Sequence, residues 1–200
     1  MDTDFPYIPN GVIKIAADSE GDVIFHAIRG DFSAKMLVSS RRIGRFSPVF
    51  RVMFNGQWAE ARQISLESPG TCTFRDNPFH AFLYLCILMH RPECSYAIKE
   101  FVKDQVLRDF TSLCDKYDCA AVGREQARIW VNNRFSKHLR ENTNNNYFDQ
   151  YLIWVSYVFD LWEEFNKATI FSIVDTTYSC CNHPIRDDWS GGMPSTIKGM

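Results

Sequence analysis

The sequence has no excess of either charge. Its 22 Lys and Arg stand against 24 Asp and Glu, for a net charge of −2, and neither half is strongly skewed. That balance argues against a non-specific nucleic-acid binder, which needs a basic surface to meet phosphate. It also has no long apolar run of the kind a bilayer requires. The stretch 151–159 falls far short of the ~20 residues of a spanning helix and lies between Asp149 and Asp160, so no membrane partner is expected. Met1-Asp2-Thr3-Asp4 is acidic with no apolar core segment, so no secretory leader is expected. With seven cysteines and no leader, reduced thiols in cytoplasm or nucleus are the expectation.

Catalytic signatures are missing too. There is no Gly-x-Ser-x-Gly elbow, no P-loop, no dinucleotide glycine pattern and no His-Glu-x-x-His. Five histidines are scattered, none beside an evident nucleophile and carboxylate, and His26 reads as a strand pairing or surface residue. Glu163 and Glu164 are neighbours on a helix, about 100° apart, and read as its solvated side. Neither an enzyme nor a cofactor is expected. No internal repeat is found.

What is present is ordinary in bulk and specific in one place. At 200 residues, 46% hydrophobic and 23% charged, the chain has the composition of a soluble globular protein and can bury a sizeable core. The specific place is residues 38–54, V-S-S-R-R-I-G-R-F-S-P-V-F-R-V-M-F, which read as two short helices broken at Ser47-Pro48. Ser39 is the expected N-cap of the first helix and Ser47 of the second. Pro48 falls in the first turn, where a missing N–H costs nothing. Ile43 and Phe46, then Val49, Phe50, Met53 and Phe54, recur at helical spacing and give each helix an apolar face. Such a pair is too short to stand alone and must be covered.

Two extended runs precede it, 22–28 and 32–38, joined at Arg29-Gly30-Asp31, and a further strand is read at 13–17 after a Pro-containing arm, 1–12. After the pair, 61–66 alternates and reads as the third strand of the sheet, and the Pro-, Gly- and Ser-rich stretch 67–76 reads as a loop. Asn77-Pro78 starts a strongly apolar helix that stops at His90-Arg91-Pro92. Residues 96–101 fit strand or helix equally. Val102, Val106, Phe110, Leu113 and Tyr117 then form a helical stripe. A helix over 123–139 carries Ala127, Trp130, Val131 and Phe135 on one side. An Asn-rich break at 141–146 is followed by an aromatic helix, 147–165, apolar nearly all round, which means burial or an interface. Asn166 is read as the cap of a last helix ending near 178, and 180–200 as a mobile tail.

Strand, turn, strand and helix pair in this order resemble the opening of a BTB/POZ domain. The matching pattern is Asp22-Val23-x-Phe25, then Met36-x-Val38-Ser39-Ser40-x-x-Ile43-x-x-x-Ser47-x-x-Phe50-x-x-x-Phe54. The double serine, Ser-Pro-Val-Phe after it and Cys114-Asp115-Lys116-Tyr117-Asp118-Cys119 are similar to the fungal branch. The resemblance implies an α+β fold, a short three-stranded sheet flanked by helices over 13–120; the residues beyond it read as an all-helical extension over 121–179. It also implies association rather than bond chemistry: homodimers, pairing with another BTB protein, or adaptor work on a cullin-type ubiquitin ligase. Animal members form a charged pocket from the aspartate matching Asp22 and a basic residue where this chain has Ser40.

Candidate anchors for a partner are Phe32, Met36, Ile43, Phe46 and Trp58, each of which also suits its own chain's core. Arg41, Arg42 and Arg45, with Arg51, are the local concentration of positive charge, suited to an acidic partner or to plain solvation. A competing reading is a small metal-binding protein. Cys86, His90 and Cys94 are spaced by four and carry zinc-like donors, with Cys180, Cys181 and His183 as a further group. The Arg91-Pro92 break spoils the shared helix face, and a buried thiol is the commoner use of cysteine in an apolar helix. No metal ligands are therefore assigned.

Overall fold

Phe25 explains most of the first half of the molecule. It sits at 0% exposure in β2 (Val23–Arg29), a strand whose inward residues Val23, Phe25 and Ala27 alternate with half-buried Ile24, His26 and Ile28. β3 (Phe32–Val38) pairs with it antiparallel, setting Phe25 opposite Met36 and Val23 opposite Val38. The structure, a computed structural model, describes residues 12–16, 20–29, 32–55, 66–75, 77–90, 102–141 and 151–182; the side chains of 29, 32, 138–141 and 175–182 fall outside that description.

The described sheet has four strands in the order β1-β3-β2-β4, with β1 (Val12–Lys14) parallel to β3 and β4 (Gly70–Arg75) parallel to β2. The class is α+β with a mixed sheet. The stretch 67–76, expected to be a loop, contains β4. Its Gly, Thr and Arg suggest a turn, but Thr71, Thr73 and Arg75 point out while Cys72 and Phe74 point in, the period of a half-buried strand. The third strand read at 61–66 lies outside the described residues, save Leu66, which sits in a bend.

α1 (Ser40–Phe46) and α2 (Pro48–Asn55) follow β3, and both expected caps form. The Ser39 hydroxyl accepts from Arg42 N–H at 3.4 Å, and the Ser47 hydroxyl accepts from Phe50 N–H at 3.1 Å. Ser47 is fully buried because its hydroxyl also donates to the carbonyl of Tyr117, at 2.5 Å. α3 (Phe79–His90) is apolar on nearly every side and packs on β2, β3, α1 and α4 (Asp104–Lys116). On α4 the inward set is Leu107, Phe110, Leu113 and Cys114, and Val102 and Val106 are only half-buried. Phe25 meets Phe50, Phe54, Phe74 and Phe82 at ring separations of 4.7–6.0 Å, and Tyr117 stacks on Phe50 at 4.4 Å. An aromatic cluster drawn from two strands, two helices and a helix end is the core.

The chain divides into two units, Met1–Gly123 and Arg124–Met200, the boundary falling within α5 (Ala120–Glu141). In the second unit Ala127, Trp130, Val131 and Phe135 are buried as expected, and Phe135 stacks on Phe171 at 5.9 Å. The stretch read as one aromatic helix is two, α6 (Tyr151–Val158) and α7 (Trp162–Asn182). Asp160 makes the break at φ 52°: its N–H donates to Tyr157 and that of Leu161 to Ser156, closing α6 with a left-handed cap. Asn166 therefore lies inside α7 and caps nothing. Asp118 ends α4 in the same way at φ 48°. Glu164, read as solvated, is 4% exposed and faces α5, accepting from Asn132 Nδ2 at 2.9 Å.

Candidate interaction surface

The start of α1 is a knot of polar bonds. Three backbone donors there need acceptors that no helical carbonyl supplies. Ser39 N–H donates to His90 Nε2 at 2.8 Å, Ser40 N–H to Asp22 Oδ1 at 2.7 Å, and Arg42 N–H to the Ser39 hydroxyl. The Ser40 hydroxyl adds a bond to Asp22 Oδ2 at 2.5 Å. Asp22 is thus bonded directly to Ser40, by both its backbone and its hydroxyl. Arg42 spans the knot, with Nη1 on the carbonyl of His90 and Nε on Glu20 at 2.7 Å. That bond holds the Glu20 carboxyl below its usual range, chiefly through the hydrogen bond itself.

Because Nε2 of His90 accepts from an N–H, the ring's proton lies on Nδ1, which donates to the carbonyl of Cys86 at 2.8 Å. Both ring nitrogens are thus engaged within the chain. Among the described residues no group of His, Cys, Asp and Glu is placed to hold a metal ion. Cys94 and His183 lie outside the described residues, as do the side chains of Cys180 and Cys181. Burial pushes the Cys86 and Cys114 thiols well above their usual range.

Beside the knot, α1 and α2 enclose an open recess of about 430 Å³ lined by Ser40, Arg41, Gly44, Arg45, Arg51, Phe54 and Asn55. Gly44 sets its shape: a Cβ there would lie 3.3 Å from Arg51 Cα, so the two helices meet backbone to backbone. Arg51 is fixed by Nε on the Gly44 carbonyl at 3.1 Å, and Arg45 lies 6.0 Å from the centre of the Phe46 ring. Among the described residues neither Arg41, Arg45 nor Arg51 has a carboxylate within ion-pair distance. Alongside, α2 leaves Val49 42% and Val52 62% exposed.

The expected site residues therefore separate. Arg41 and Arg45 share the recess, while Arg42 turns to Glu20 and His90. Met36 and Ile43 are 0% exposed and belong to the chain's own interior. Phe46 is half-buried, and Trp58 and the Phe32 side chain lie outside the described residues. Val49, though not Val52, is expected on the covered face of α2. Both lie on its outer side because Phe50 and Phe54 alone turn toward Phe25. In the second unit α7 exposes Trp162, Ile170, Ile173 and Val174. Among the described residues no helix is long and apolar enough to cross a membrane. Compared with known proteins, the chain matches no family model and no curated sequence.

Proposed function

We propose that the chain is a BTB/POZ-type protein-interaction module that works by burying its surface against another polypeptide, itself or a related chain, and performs no catalysis. The observation that carries this reading is the run β2, β3, α1, α2, with Asp22 tied to Ser40 and Ser47 capping α2, the element order and residue pattern on which the resemblance rests. The exposed valines of α2 support it, because apolar side chains grouped outside a core mark contact surfaces more often than accidents. An interface of standard size buries on the order of 1,600 Å² in total, more than one helix face supplies, so neighbouring elements share it.

Light scattering on the full chain over a range of concentrations tests the homotypic form. The expected result is a mass above the 23.2 kDa of one chain. One-chain mass at every concentration would remove self-association from the proposal.

A further inference from the structure

The α1–α2 recess concentrates positive charge in a chain whose net charge is −2. Arg41 and Arg45 lie one turn apart on α1, Arg51 faces them from α2, and among the described residues none of the three has a carboxylate within ion-pair distance: Asp22 is bonded to Ser40, and Glu20, which feels Arg41 at longer range, is bonded to Arg42. Packing like charges side by side without a counter-charge is unfavourable, and a carboxylate seated among them reverses the sign. Arg51 is held in place by the Gly44 carbonyl, which lowers the ordering cost of binding. On the wheel of α2, Val52 and then Val49 follow Asn55 outward from the recess, so the charged hollow continues into an apolar strip.

We propose that this recess seats the carboxylates of an acidic, aliphatic peptide segment from a partner protein, its apolar side chains lying on Val49 and Val52. A second copy of the same face is disfavoured, since a two-fold contact would set these arginines against their own copies. A nucleic-acid backbone is a worse match, because a chain of net charge −2 lacks the broadly basic surface that phosphate needs.

The inference rests on the chain being an interaction module and names its partner's chemistry. The test is a titration of the full chain with a fluorescent Glu/Leu peptide, its Gln/Leu counterpart and inorganic phosphate. The Glu/Leu peptide is expected to bind and to weaken with added salt. Arg41→Gln with Arg45→Gln should cost about tenfold or more in affinity, as loss of charge-assisted bonds implies. Lys35→Gln, an exposed lysine on β3, should leave it unchanged. Equal binding of the Gln/Leu peptide, or no effect of the double substitution, overturns the proposal. Phosphate displacing the peptide at equal concentration overturns it in favour of a small-anion site. Self-association that vanishes in the double variant overturns it in favour of a second copy. If the peptide fails while light scattering shows a complex, the recess assignment falls and the module reading stands.

Discussion

Asp22 holds Ser40 by two bonds, one to its backbone N–H at 2.7 Å and one to its hydroxyl at 2.5 Å. The carboxylate just ahead of β2 thereby fixes the first turn of α1, and with it the direction in which Arg41 and Arg45 leave the helix. Asp22→Ala removes both acceptors and is expected to cost roughly 1–2 kcal/mol, the range of a lost helix cap. Asp22→Asn keeps one acceptor for Ser40 N–H and should cost less. Urea midpoints of the two variants check the order; equal losses would show that the negative charge, and not an acceptor for Ser40 N–H, is what Asp22 supplies.

Ser47 joins two distant places, since its hydroxyl caps α2 through Phe50 N–H and donates to the Tyr117 carbonyl at the end of α4. Ser47→Ala strands a buried donor and a buried acceptor together. The expected loss is roughly 1–3 kcal/mol by thermal or urea unfolding. A loss near zero would mean that the α4 end is held by the aromatic stack alone.

Cys86 and Cys114 stay protonated in the fold because burial disfavours their thiolates. The unfolded chain ionises them above about pH 8.5, where it binds fewer protons than the folded state, so stability must fall as pH rises from there. Below that window the contribution is fully present. Each thiol contributes up to ~1.4 kcal/mol per pH unit while only the unfolded form titrates. Urea unfolding at about pH 8 and about pH 10 should show a fall that is smaller in Cys86→Ala than in the parent chain.

Asp118 ends α4 at φ 48°, a conformation that glycine adopts freely and a β-branched residue resists. Asp118→Val is expected to lower stability by about 1 kcal/mol or more, and Asp118→Gly to leave it unchanged or slightly raised. Matching losses in both variants would indicate that the aspartate side chain, not the backbone, sets the turn.

These features differ in how legible they are in the sequence. Ser39, Ser47 and Pro48 act within a few residues of themselves, so residue type and spacing suffice to place both caps. β4 is different. Its register depends on β2, far away in sequence, and only Cys72 and Phe74 turn inward from a stretch whose other residues suit a turn. The α6–α7 break carries no glycine or proline, and Asp160 looks like any helical residue until its dihedral is known. Glu164 becomes a buried partner only because Asn132 of α5 faces it. Among the candidate contacts, arginine type located the recess but could not tell Arg42, drawn to Glu20, from its neighbours. Apolar type could not separate Met36 and Ile43, which the core consumes, from Val49 and Val52, which it leaves outside.

Hydroxyl-radical footprinting of the chain, alone and then in complex with a captured partner protein, tests the surface-burial account most directly. The account predicts that Val49, Val52 and the recess around Arg45 become protected on association while Phe25 and Ile43, already shielded, do not change. Association that leaves α1 and α2 as reactive as in the chain alone would contradict it.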